Sequence, residues 1–169
     1  MDRAAQRALN EFAKTIGMVT IKYNEAQAAV LVIFVLLSDL NRDVARTLFF
    51  SVKSDAGQRD MTIALANTKL AETHPEDRRN VVAAIENLSS LSGERNAAIH
   101  TMWYLDESFP VKPTSKKKQW VIPDRNSVPH RKLQTDALSQ FKELVGKLEK
   151  ARILLMFNAL KVSLLQHPE

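Results

Sequence analysis

Apolar positions recur at helical spacing along most of the chain. The most apolar stretch is Ala28-Ala29-Val30-Leu31-Val32-Ile33-Phe34-Val35-Leu36-Leu37. It is hydrophobic on every side and predicts a buried central helix from Lys22 to about Leu40. At ten residues the run falls well short of the ~20 needed to cross a bilayer, so no membrane association is expected. Upstream, Ala4, Ala8, Leu9, Phe12 and Ile16 share one side of a first helix, near residues 2 to 16, which Gly17 either interrupts or merely occupies.

Asn41 can cap a short helix starting at Arg42, with Val44, Ala45, Leu48 and Phe49 as its buried side. Ser54-Asp55-Ala56-Gly57 reads as a break. A helix from about Gln58 to Glu72 follows, with Met61, Ile63, Ala64, Leu65, Thr68 and Leu70 as its face. His74-Pro75-Glu76-Asp77 then opens a long helix that runs to near Tyr104, with proline in the first turn and acids at the positive end of the dipole.

Between residues 105 and 133, Pro110, Pro113, Pro123 and Pro129 exclude a long helix, and Gln119-Trp120-Val121-Ile122 suggests a short strand in a loop or hairpin. The helical pattern returns from about Thr135 to Leu165 through Leu138, Phe141, Val145, Leu148, Leu155 and Phe157. The expected fold is an all-α bundle of about five helices, a single domain over 1–169 with a loop or β-hairpin insertion before the last helix.

One position breaks the pattern. Val81, Ile85, Leu88, Ser92, Arg95, Ile99 and Met102 alternate steps of four and three, which places an arginine on a core-facing stripe. A guanidinium there needs an acidic partner or a bound anion. Glu25 is one candidate partner, with a solvated glutamate in a first helical turn as the plainer alternative. Asn96 and His100 are four apart on a flank of the same helix, and Ser89, Ser92 and Gly93 are small enough to leave a cleft. If the helix instead broke at Ser92-Gly93, with Ser92 as a cap, Arg95 would occupy a first turn whose free donors attract phosphate.

Arg95-Asn96-x-x-x-His100, late in an all-helical domain, resembles the signature of the HEPN superfamily, the higher eukaryotes and prokaryotes nucleotide-binding domain. That resemblance implies a metal-independent endoribonuclease, in many members a toxin or anti-phage component, with paired motifs facing one another across a homodimer. It implies RNA as partner, an antitoxin protein as a possible second one, and no cofactor. Arg95, Asn96 and His100 would be the catalytic residues. His100 would serve as general acid or base, Arg95 would stabilise charge on the phosphate, and Asn96 would orient the imidazole or bind the phosphate. The same resemblance allows a non-catalytic module for dimerisation or for binding nucleic acid or protein, in which these residues form a structural ion pair and hydrogen bond. An open or an enclosed His100 separates the two.

The letters occur twice. Arg125-Asn126-Ser127-Val128-Pro129-His130 repeats them, but Pro123 and Pro129 disfavour helix there and mark that copy as coincidental. Near it, Lys116, Lys117 and Lys118 beside Trp120 could hold an RNA backbone and stack a base, or form a solvated hairpin tip.

The remaining composition adds bounds. A net charge of +5 and a pI near 9.6 fit an anionic partner as well as a merely basic soluble protein. Without cysteine there is neither disulfide nor thiolate metal site. His74, His130 and His167 do not cluster with His100 at any metal-ligand spacing, so no metal site is expected. The first residues, Met1-Asp2-Arg3-Ala4-Ala5-Gln6, lack the layout of a signal peptide, and cytoplasm is the expected compartment.

Overall fold

A computed structural model describes residues 3–100 and 137–166. Among these residues the chain is all-α, with five helices and no strand: α1 (Arg3–Ser38), α2 (Arg42–Ser51), α3 (Asp55–Lys69), α4 (Pro75–His100) and α5 (Ala137–Gln166). The hairpin expected around Gln119–Ile122 lies outside them. So do Lys116, Lys117, Lys118, Trp120 and the second motif copy ending at His130.

The two helices expected before residue 40 are one helix of 36 residues. Gly17 sits inside it with open space where a Cβ would be. A mid-helix glycine costs only about 1 kcal/mol, too little to break a helix whose apolar face continues on both sides. By length and composition alone, Leu9–Ser38 could cross a membrane. Val30, Ile33, Phe34 and Leu37 are buried within the protein, whereas Ile21 and Val32 are exposed, so the segment expected to be buried on every side has one open face.

The connections follow local polar chemistry. Asp39 takes a left-handed backbone (φ 54°) as α1 ends, a conformation that aspartate tolerates better than most residues. Asn41 then caps α2, its side chain accepting from the Asp43 amide at 2.9 Å. Ser54 caps α3 by accepting from the Gly57 amide at 3.1 Å. The break expected over 54–57 therefore shrinks to the cap itself, and α3 begins at Asp55. A Cβ at position 57 would approach Val52 Cγ1 to 2.8 Å and Ser54 Oγ to 3.0 Å, so any larger residue there would have to displace these side chains.

Contacts group the chain into two compact units, one comprising residues 1–21 and 93–147, the other 22–92 and 148–169. In the first, the rings of Phe12 and Phe141 pack 5.7 Å apart. Glu11 pairs with Lys142, and Glu94 with Lys147 at 3.5 Å. In the second, Val30 and Ile33 of α1, Phe49 of α2, Ile85 and Leu88 of α4, and Leu148 and Leu155 of α5 are fully enclosed. Burying each such side chain stabilises by about 1.5–3 kcal/mol. A charged cluster joins α1 to α5 in this unit. Lys22 meets Glu25 at 2.8 Å and Glu149 at 3.1 Å, and Arg152 meets Glu149 at 2.6 Å and Glu25 at 3.7 Å. Arg152, and after it Lys22, hold the Glu149 carboxyl down at about 2.

Three expected faces are corrected. On α3 the buried residues are Gln58, Arg59, Thr62 and Ala66, while Ala64 and Thr68 are exposed and Met61, Ile63 and Leu65 half-buried. Hydrogen bonding decided that orientation: the buried polar groups find one another, as described below. On α2, Ala45 and Phe49 are buried, but Val44 and Leu48 are exposed. A ten-residue helix has room for one narrow buried line, and Phe49 fixes it by packing against Phe34 with ring centroids 5.5 Å apart. On α5, Phe157 faces outward, with the Lys161 ammonium 5.1 Å from its ring centroid.

Candidate functional site

The motif lies at the end of α4, which runs without a break from Pro75 through Gly93 to His100. Ser92 does not cap a new helix. Its hydroxyl donates back to the Ser89 carbonyl at 2.7 Å, inside the continuing turn. Arg95 is therefore in a helix interior, and the alternative of a phosphate held by free first-turn amides is set aside.

Along α4 the innermost line passes through Ala84, Leu88, Leu91 and Ala98, all buried. These positions are spaced four, three and seven apart, and Arg95 fills the place between the last two, four after Leu91 and three before Ala98. Arg95 itself is only half-buried. Its Nε is enclosed, so part of the guanidinium lies within the stripe rather than in solvent. Its Nη1 donates to Asn96 Oδ1 at 2.9 Å. Asn96 thus positions the arginine.

His100 is exposed on the last turn of α4, one turn beyond Asn96, which is exposed as well. Open to solvent rather than enclosed in a core, its imidazole can reach an incoming ligand. Beside the motif, Glu94 is engaged by Lys147, which also meets Glu143 at 3.2 Å. Glu143, and secondarily Glu94, keep that ammonium charged to a higher pH than usual. At Gly93 a Cβ would meet nothing, so the helix surface between Glu94 and the preceding turn is open.

No protein-family model, curated protein or solved structure matches the chain.

Two expected neighbours are engaged elsewhere. Glu25 is in the middle of α1, not in a first turn, and its carboxylate joins Lys22 and Arg152. Ser89 leaves room not for a substrate but for Arg59, whose Nε donates to the serine hydroxyl at 2.8 Å. His74 borders a depression of about 200 Å³ with Asp39 and Lys69, which pair with one another. It sits at the entry to α4, where its carbonyl accepts from the Arg78 amide at 3.0 Å.

The strongest polar feature escaped the pattern reading. Arg59 is 3% exposed. Its Nη1 donates to the Tyr23 hydroxyl at 2.7 Å and to Gln27 Oε1 at 3.2 Å. Gln27 passes the line to Gln58 Oε1 at 2.9 Å, and Gln58 donates to the Val52 carbonyl at 2.8 Å. The chain of donors joins α1, α3, α4 and the α2–α3 connection inside the second unit. Its signal in the sequence is Gln58, Arg59 and Thr62, polar residues one turn apart within a helix whose apolar residues are spread around all sides.

Proposed function

We propose that the chain cleaves RNA without a metal, in the manner that its resemblance to HEPN ribonucleases implies, and that Arg95, Asn96 and His100 form the site. One observation supports this reading above the others. The three residues share one uninterrupted helix, with the arginine fork held by Asn96 and the imidazole open to solvent one turn away.

RNA carries its own nucleophile. The 2′-oxygen attacks the adjacent phosphorus, the bond to the 5′-oxygen breaks, and a 2′,3′-cyclic phosphate and a free 5′-hydroxyl result. The protein has to take one proton from the 2′-hydroxyl, give one to the leaving 5′-oxygen, and stabilise charge at phosphorus. Imidazole titrates nearest neutral pH and suits either proton transfer. A planar guanidinium, pre-set by Asn96, suits the equatorial phosphoryl oxygens. A second copy of the chain would supply the other imidazole, so that one acts as base while its counterpart acts as acid. A net charge of +5 favours encounter with a polyanion. The same resemblance brings a neutralising antitoxin into the proposal as a second partner, and the layout of the first residues brings cytoplasmic action into it.

The Arg95–Asn96 pair also suits a second reading, a non-catalytic module in which the pair only braces the helix. Arg95→Ala separates them. On the catalytic reading, cleavage of mixed RNAs in the presence of a chelator falls by roughly 10²–10³-fold and the melting temperature changes little. Unchanged cleavage with a large fall in melting temperature would establish the bracing role instead.

A further inference from the structure

Where α1, α3 and α5 end and α4 begins, the second unit carries a depression of about 200 Å³. Its floor is aliphatic. Leu37, Leu70 and Val162 are buried in the fold, and half-buried Leu165 forms one edge. Its rim is polar, with Asp39 just past the end of α1, Lys69 as the last residue of α3 and His74 just before α4. Neither the motif nor the buried Arg59 network uses these three groups. The Asp39–Lys69 pair is 62% and 41% exposed, and an ion pair that open contributes little to stability, so a ligand's charges can replace it at small cost. The His74 imidazole is half-buried and makes no hydrogen bond or ion pair among the described residues. Its backbone is fixed, the amide donating to the Leu70 carbonyl and the carbonyl accepting from the Arg78 amide, both at 3.0 Å.

We propose that this depression binds a free α-amino acid with a branched aliphatic side chain. Three features select that class. Size is the first. Sites for drug-sized ligands enclose roughly 300–1,000 Å³, so this smaller one suits a molecule of about ten heavy atoms. The lining is the second. Four branched aliphatic side chains and no aromatic ring face a branched hydrocarbon better than a planar one.

The third feature is the pair of opposite charges on the rim. A zwitterion can divide the Asp39–Lys69 pair, its ammonium meeting the Asp39 carboxylate while its own carboxylate meets Lys69 and His74. A ligand with one sign of charge would satisfy only one side. The helix ends favour the same direction. Asp39 directly follows the last residue of α1, at the negative end of that dipole, and His74 directly precedes α4, at the positive end. Asp77, in the first turn of α4, has the Lys161 ammonium 3.9 Å away as its own counter-charge.

The site uses no residue of the Arg95–His100 motif, so the inference goes beyond the RNA reading and would stand if the motif were inert. Titrating L-leucine into the isotope-labelled full chain should shift the amide resonances of Leu70, His74 and Val162 saturably, with millimolar affinity. Glycine lacks the side chain, isovalerate the ammonium and leucinamide the carboxylate, so each should bind at least about tenfold more weakly. Asp39→Asn and Lys69→Met should each weaken leucine binding by a similar factor with an unchanged circular dichroism spectrum. Asparagine tolerates the left-handed backbone at position 39 as aspartate does, and the ligand series decides the matter if either variant fails to fold. The absence of saturable shifts with leucine, isoleucine and valine would overturn the proposal. So would unchanged leucine affinity in either folded variant, or equal binding of any of the three analogues, leucinamide in particular pointing to the N-terminus of a peptide instead. None of these readouts involves RNA, so failure here and failure of the ribonuclease reading are separate results.

Discussion

His100→Ala is expected to remove most RNA cleavage, whereas His130→Ala changes the rate by less than about tenfold. Positioned proton transfer contributes typically 10²–10⁴-fold, and that is the loss anticipated for the first variant. The two histidines end identical letter patterns, Arg-Asn followed by three residues and His, so any argument from letters alone requires equal losses. The physical argument does not. His100 is exposed at the end of a continuous helix whose Arg95 and Asn96 are already paired. His130 lies outside the described residues, and in the sequence it directly follows Pro129, a residue type that disfavours helix at the position before it. Cleavage assays of both variants in a chelator decide it. Equal losses, or full activity in His100→Ala, would show that the site is elsewhere.

Arg59→Ala is expected to cost about 3–5 kcal/mol of folding stability, because it takes the donor from three buried polar groups and opens a cavity. The guanidinium makes three hydrogen bonds at 2.7–3.2 Å to Tyr23, Gln27 and Ser89 while almost wholly enclosed. Deleting it leaves three buried groups to find new partners around a cavity, and each unsatisfied group costs about 1–3 kcal/mol. Arg59→Met keeps the volume and removes the cost of desolvating a charge, so it should lose less than Arg59→Ala. Urea midpoints of the two variants check this ordering. A loss below about 1 kcal/mol in Arg59→Ala would mean that the network is not what orients α3.

The contrast between α3 and α4 shows what the pattern could and could not carry. Periodicity located α4 well, because Val81, Ile85 and Leu88 are apolar, buried and in helical register, and the caps at Asn41 and Ser54 act locally through their own side chains. It also flagged Arg95 as a cation on a core stripe, and in the structure that side chain is half-buried with its Nε enclosed. The same reasoning misplaced the face of α3. There the decisive partners, Tyr23, Gln27 and Ser89, lie 36, 32 and 30 residues from Arg59, and no local spacing reports them. Glu25 failed for a related reason. It looked like the start of a helix only while α1 was divided at Gly17, and in the intact helix it turns to Lys22 and Arg152. Apolar residues mislead in the opposite direction on α5. Phe157 fits the period as well as Leu155 does, and only the assembled fold shows that one faces out.

The central claim is that RNA is cut by its own 2′-oxygen with proton transfer by His100. The most direct measurement compares one RNA strand with the same strand carrying 2′-deoxyriboses, each incubated with purified protein and a chelator. The account expects the RNA to be cleaved, leaving 2′,3′-cyclic phosphate and 5′-hydroxyl ends, while the deoxy strand stays intact. Cleavage of both strands, an intact RNA, or cutting restored only by added magnesium would contradict it.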